Sequence, residues 1–291
     1  MKKIKILIPV YNDWESVFKL LENINLEASK IDINFSVIII NDASTDSKPK
    51  LSTSLDNLES IQIIHMKENK GHARCIAAGL KYITENDDFD LVVPMDADGE
   101  DKPEELGSLL CEAYAYSDEV ITANRVKRSE GFIFRLCYLF HKYLTFIFTG
   151  HMIRFGNYCC LPKHIVTEMV NEAATWSSFS GSLTKIAKKR KSIKSERGKR
   201  YFGPSKMSFM NLIKHSLSII AVFKTTLLIR SILFLVVYLF LVIGKITAIT
   251  LIPVIGVVIM MISVITLSNR ENMSEFNSSL DNIKDIENII K

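Results

Sequence analysis

Asp90-Leu91-Val92-Val93-Pro94-Met95-Asp96-Ala97-Asp98 is the stretch whose reading decides the fold. A short apolar run ending in two carboxylates two residues apart reads as a buried strand, with both acids on the same side of the extended backbone. In open α/β sheets, ligands bind at such carboxyl strand ends. Left alone, the two acids would repel and raise each other's pKa. A hard divalent cation resolves that conflict, and Mg²⁺ is typically held by one or two carboxylates together with substrate phosphates. Glu100, at the next same-parity position, completes a candidate metal set of Asp96, Asp98 and Glu100. Carboxylates alone do not separate Mg²⁺ from Mn²⁺. The plain alternative is a solvated acidic turn, since Asp and Gly are common after strands.

Working outward, the first 125 residues alternate. Apolar, β-rich runs occupy residues 4–10, 35–40, 61–66, 91–95 and 119–123. Between them, Val17, Leu20, Leu21 and Ile24 fit one helical face, as do Ile76, Leu80 and Ile83. Strands alternating with helices predict an α/β fold with a mostly parallel sheet covered by helices on both faces. Polar clusters then fall at carboxyl strand ends: Tyr11-Asn12-Asp13 after the first strand, Asn41-Asp42 after the second, and the aspartate pair after the fourth.

The chain has 291 residues and a net charge of +4, too modest to indicate a partner. Its five cysteines are odd in number and lack C-x-x-C spacing, which argues against a disulfide framework or zinc site and fits a reducing compartment. Cys159-Cys160 reads as two small apolar core residues, with a vicinal disulfide as the alternative. The N-terminal apolar run contains Lys5 and meets Pro9 and Asn12, too short and interrupted for a signal peptide, so the catalytic part is expected in the cytoplasm.

From residue 130 to 206 the pattern becomes helical stretches and loops rich in Arg, Lys and aromatics. Residues 246–267 then run without a charge, about 33 Å as a helix, against a hydrocarbon core of about 30 Å. Residues 227–244 form a second span, with Arg230 near its start able to snorkel. Only Gly244-Lys245 separates them, so a tight hairpin is expected, with a buried soluble hairpin as the alternative. Lys206, Lys214, Lys224, Arg230 and Arg270 flank it while Lys245 alone marks the tip, which puts both ends in the cytoplasm. The expected division is a catalytic domain at 1–206, an interfacial amphipathic helix at 207–228, the two spans, and a polar cytoplasmic tail at 268–291. Leu280, Ile283, Ile286 and Ile289 suggest one last short helix in that tail. The expected location is the cytoplasmic (inner) membrane, multi-pass, with room for a homo-oligomer.

Individually the remaining motifs are weak. Pro9-Val10-Tyr11-Asn12-Asp13 could set an aromatic ring and backbone groups against a nucleobase, or simply cap a helix. Asn69-Lys70-Gly71-His72-Ala73-Arg74 opens a helix with Gly and cations, suited to a diphosphate at a helix N-terminus. Taken in order, ahead of the aspartate pair, they resemble the family 2 glycosyltransferases of GT-A fold, a Rossmann-like architecture. The resemblance spans roughly residues 1–230. It implies that Pro9, Val10, Tyr11 and Asp42 seat the nucleoside of a nucleoside-diphosphate sugar, with Lys70 and Arg74 near phosphate. Asp96 and Ala97 would line the donor site, and Asp96, Asp98 and Glu100 would carry Mg²⁺ or Mn²⁺.

Arg200-Tyr201-Phe202-Gly203-Pro204-Ser205-Lys206 is similar to the Arg-x-x-Gly-x-Ser-Lys segment of polyprenyl-phosphate sugar transferases, such as dolichyl-phosphate mannose synthases. That subgroup often carries a C-terminal membrane hairpin. The similarity implies catalytic roles for Asp98, Arg200 and Lys206, and an acceptor-phosphate site drawing on Arg125, Arg128, Arg135, Arg154 and Ser205. The chain departs from its relatives in reading Asp-Ala-Asp-Gly-Glu-Asp-Lys-Pro where they commonly read Asp-Ala-Asp-Leu-Gln-x-x-Pro, which adds negative charge.

The segment around Trp176, Trp-Ser-Ser-Phe-Ser-Gly-Ser, offers no carboxylate base. A phosphate-monoester acceptor needs none, because its oxygen is already anionic near pH 7. An unrecognised base, with transfer to a sugar hydroxyl on a lipid-linked or envelope glycan, is the rival reading. A non-catalytic nucleotide-sugar-binding scaffold is the third. The basic run at 185–200 lacks interleaved aromatics, so a solvated face or anionic lipid headgroups are expected there and no nucleic acid. The expected partners are the nucleotide-sugar donor, a polyprenyl phosphate or other lipid-linked acceptor, and membrane lipids.

Overall fold

A computed structural model describes residues 2–31, 33–51, 53–127, 143, 145–204 and 209–290. Its core is one mixed sheet. The four expected apolar runs form β1 (Ile4–Val10), β2 (Phe35–Asn41), β3 (Leu58–Met66) and β4 (Leu91–Pro94), and the fifth lengthens into β5 (Val120–Lys127). Near-continuous Ile, Val and Leu suit strands covered on both faces. Between them lie α1 (Trp14–Ile31), α2 (His72–Asn86) and α3 (Leu106–Ala115). Val17, Leu20, Leu21 and Ile24 of α1 are buried on one side of the sheet; Ile76, Leu80 and Ile83 of α2 are buried on the other. Each such side chain contributes about 1.5–3 kcal/mol by leaving water.

Two further strands, β6 (Phe155–Pro162) and β7 (Arg190–Glu196), lie in the stretch expected to be helix and loop. β6 opens with Gly156 and Asn157 and packs Cys159 and Cys160, both buried free thiols, into the two cores. β7 is the basic run itself. It is an edge strand, and Lys191 and Lys194 on it discourage pairing with another chain. Helices α4 (Lys163–Val170) and α5 (Phe179–Ile186) connect these strands.

Among the described residues the sheet has eight strands, ordered β7-β5-β6-β4-β1-β2-β3-β8. The pairings β1–β2, β1–β4, β2–β3 and β5–β7 are parallel, whereas β4–β6, β5–β6 and β3–β8 are antiparallel. The parallel centre matches the expectation, and the antiparallel partners were not anticipated.

The apolar C-terminal region folds as α6 (Phe209–Ala221), α7 (Lys224–Val242) and α8 (Ala248–Ser268). α7 and α8 are long and apolar enough to cross a membrane, and most of their side chains face outward from the protein. Phe148, Ile220, Ala221, Leu227, Val257 and Val264 form the small core that joins the hairpin to α6 and to the helical turn at 145–149. Arg230 Nη1 donates to the carbonyls of Phe146 (3.3 Å) and Ile147 (2.8 Å), closing that turn.

The segment beyond the hairpin corrects one expectation. In place of a last helix there is a short α9 (Met273–Asn277), a 3₁₀ turn (Ser279–Asn282) and a strand, β8 (Ile283–Ile290). Isoleucines three apart suit a helix face, but the same β-branched residues also suit a strand. The open edge of β3 decides the outcome, because β8 pairs antiparallel along it from Ile61 to Met66.

Candidate functional site

The carboxyl ends of β1 and β2 present two loops that are stitched together. The left-handed backbone at Asn12 (φ 51°), a conformation Asn tolerates, turns its side chain toward the second loop. Asn12 Oδ1 accepts from the amides of Thr45 (2.8 Å) and Asp46 (3.1 Å), and Ser44 Oγ accepts from the Asn12 amide at 2.9 Å. Asp42 N donates to the Val10 carbonyl at 2.9 Å, which locks the base of the cradle beside Pro9. Tyr11 stands out from it, 47% exposed.

Asp42 is buried, and its carboxylate accepts from the amides of Lys70 (2.9 Å) and Gly71 (2.8 Å). Burial pushes its pKa up while the two amides pull it down. It therefore holds the loop that opens α2. Lys70 Nζ pairs with Glu68 at 2.8 Å. Arg74 is drawn instead to Glu275 (3.1 Å) of the C-terminal segment and lies over the Trp176 ring, so its partners are not in the aspartate cluster.

Beyond β4 the acidic motif turns back on itself. Asp101 is buried; it accepts from the Asp96 amide at 3.0 Å and from Arg125 Nη2 at 3.2 Å. Burial, and then the Asp96 charge, lift its pKa to about 7. Asp98 Oδ1 accepts from the Glu100 amide at 2.9 Å, and burial with the neighbouring Asp96 raises its pKa as well. Asp96 Oδ1 meets Asn157 Nδ2 at 3.2 Å and His72 Nε2 at 3.4 Å. Ala97, between the aspartates, is buried in the sheet core.

A basic strap at 197–204 lies directly on this motif. Arg200 Nη1 binds Asp98, and its Nη2 reaches Asp13 at 3.2 Å. Arg197 pairs with Glu100 at 2.5 Å. The backbone joins in: Gly198 N donates to Glu100 O and Tyr201 N to Asp98 O, both at 2.9 Å. The approach is close enough to require glycine on both sides. Gly99 has φ 88°, and a Cβ there would sit 2.7 Å from the Tyr201 ring; one at Gly198 would sit 2.2 Å from Gly99 O.

Most expected site residues are thus gathered at the carboxyl ends of the parallel strands, with Arg125 serving Asp101 and Arg154 exposed beside Met152. Arg128, Arg135, Ser205 and Lys206 lie outside the described residues. Asp13, His72, Asp101 and Asn157 were not singled out. His72 stood inside a quoted motif, but its convergence with Asn157 on Asp96 depends on strand order.

Among the described residues no three His, Cys, Asp or Glu side chains are disposed to enclose a metal ion. The donor chemistry nevertheless fits Mg²⁺ or Mn²⁺, cations commonly held by one or two carboxylates with phosphate oxygens completing the shell. Asp98 already binds the Arg200 guanidinium, so its carboxylate is placed where a positive group is accommodated.

Solved structures of sugar-transferring synthases share this α/β sheet covered by helices on both faces. Mannosyl-3-phosphoglycerate synthase from Rubrobacter xylanophilus superposes with a TM-score of 0.56 at 13% identity, over 76% of this chain and 72% of that one. Glucosyl-3-phosphoglycerate synthase from Mycobacterium tuberculosis, solved with Mn²⁺, UDP and glucosyl-3-phosphoglycerate, gives 0.52 at 11% identity, over 77% and 80%. Residues 5–163 match the family model described as glycosyl transferase family 2. The chain belongs to that family and is a glycosyltransferase.

Proposed function

We propose that the protein moves a sugar, with inversion, from a nucleoside-diphosphate sugar to a polyprenyl phosphate at the cytoplasmic face of a membrane. One observation carries this reading: the strap that lies on Asp98 and Glu100 leads, nine residues after Arg200, into α6, and the apolar hairpin follows α6 from Lys224. Nine residues reach no more than about 32 Å, so the acidic site is tied close to the start of α6, the helix that leads into the hairpin. An acceptor whose reactive head lies at a bilayer surface suits such a tether.

In this reading Pro9, Val10, Tyr11 and Asp42 seat the nucleoside, with Lys70 beside the phosphates. Asp96 and Asp98, with Glu100 as the third candidate, would hold Mg²⁺ or Mn²⁺, which when bound neutralises the leaving diphosphate. The Mn²⁺ and UDP in the Mycobacterium structure are in keeping with this. An acceptor phosphate oxygen forms the new bond to the anomeric carbon as that carbon's bond to the diphosphate oxygen breaks, and the electron pair leaves with the nucleoside diphosphate. No proton has to be removed. What the step requires is cations that bring two anions together. Arg200 suits that role because its Nε is buried and unpaired, a spare donor beside Asp98. Lys206, Ser205, Arg125, Arg128, Arg135 and Arg154 are the further candidates for acceptor phosphate.

The test is nucleoside diphosphate release by the full chain in detergent with Mn²⁺, across UDP- and GDP-sugars, with and without undecaprenyl phosphate. Release that needs the lipid and stops with EDTA is expected. Release indifferent to the lipid would move the acceptor to a glycan hydroxyl.

A further inference from the structure

The loop that carries Asp42 is shaped by a side chain from beyond the membrane hairpin. Glu287, on β8, sits opposite Ile63 and diagonal to His65 on the same face of the β3–β8 pair. Its Oε2 lies 3.3 Å from His65 Nε2, and Lys48 binds the same carboxylate. On the other side of the ring, His65 Nδ1 lies 2.8 Å from Asn41 Nδ2. The directions in this relay are fixed. Ser44 N donates to Asn41 Oδ1 at 3.0 Å, so the amide presents its NH₂ to the imidazole. An amide NH₂ only donates, so His65 Nδ1 accepts and Nε2 carries the hydrogen that Glu287 receives.

We propose that Glu287 is a positioning residue for the donor nucleotide, acting through His65 and Asn41; this rests on the nucleoside site proposed above. The carboxylate selects the Nε2–H tautomer. Without it the ring can adopt Nδ1–H, which would face the Asn41 NH₂ donor against donor. The amide must then rotate, Oδ1 leaves the Ser44 amide, and the bond from Asn12 N to Ser44 Oγ loses its fixed partner. Tyr11 and Asp42, on either side of that stitch, lose their setting. The relay ends on groups that would touch the nucleoside and on none near the transferred sugar. Glu287 therefore governs donor affinity and KM, leaving kcat at saturating donor nearly unchanged. It also makes the segment that follows the hairpin a working part of the donor site.

The experiment is calorimetric binding of UDP and GDP, each with Mn²⁺, to the full chain in detergent, together with the KM and kcat of donor turnover. Glu287→Ala is expected to weaken nucleotide binding about tenfold, and Glu287→Gln, whose amide oxygen still accepts from Nε2–H, to remain within about threefold of the native chain. Asn288→Ala controls for loosening of β8, since it removes the bond from Gln62 across the same strand pair without touching the relay. It should bind nucleotide normally. Native affinity in Glu287→Ala, or an equal loss in Asn288→Ala, overturns the proposal. If the native chain binds neither nucleotide, the donor-site reading itself falls and the inference with it.

Discussion

At the scale of single residues the acidic motif is held together by opposed charges and close backbone packing. Asp98→Asn should lower turnover by at least about a thousandfold while circular dichroism stays native, because the amide keeps the shape but loses the charge that the site is built around. Gly99→Ala combines a left-handed φ with a clash on Tyr201, so about 1–3 kcal/mol of stability should be lost, read by denaturant unfolding. Asp101 supplies a pH signature. Its pKa is raised from 3.8 to about 7 on folding, so between those values the folded state binds more protons than the unfolded one. Stability without metal should therefore fall as pH rises through that window and level off above it. Thermal unfolding in EDTA should show this slope, and Asp101→Asn should reduce it, leaving the smaller share of the raised Asp42 and Asp98.

At the scale of elements, the C-terminal segment is fastened by a few specific contacts. Phe276 is buried and stacks on Trp176 with ring centroids 5.3 Å apart, while the Trp176 indole donates to Glu275 at 3.0 Å. Phe276→Ala should cost about 3–5 kcal/mol, with hydrogen exchange rising first in β8 and along its partner β3. The elements also show what could be read from the chain alone. β1 to β4 were legible because a parallel strand buried on both faces writes itself as an apolar run. β7 was not, since an edge strand built of Arg190, Lys191 and Lys194 carries no such signal. β8 was misread because isoleucines three apart fit a helix face while their β-branching suits a strand, and the choice belongs to the vacant edge of β3. The same division holds for the site. Asp96, Asp98 and Glu100 are neighbours in sequence and could be paired on sight. The seats of Arg200 on Asp98 and of Asn157 on Asp96 join distant segments, so only the fold reveals them.

For the whole molecule, the order of strands bears on topology. β8 follows both apolar helices in the chain and yet pairs with β3 of the catalytic sheet. If the helices span a bilayer, the chain must cross it and return to the side it left. In a variant free of native cysteines, Lys245→Cys at the hairpin tip should react with a membrane-impermeant maleimide added outside intact cells. Asp285→Cys on β8 should react only after lysis. Labelling of both from outside, or of neither, would exclude the hairpin topology.

The return of β8 to the sheet also sets a sequence of events in time. A ribosome makes α7 and α8 before it makes β8, so the edge of β3 stays open until the hairpin has been synthesised. His65 lacks Glu287 throughout that interval. If Glu287 sets the donor loop as proposed, a nascent chain would hold a nucleotide poorly until then, and full competence would arrive only with the strand made after the apolar helices.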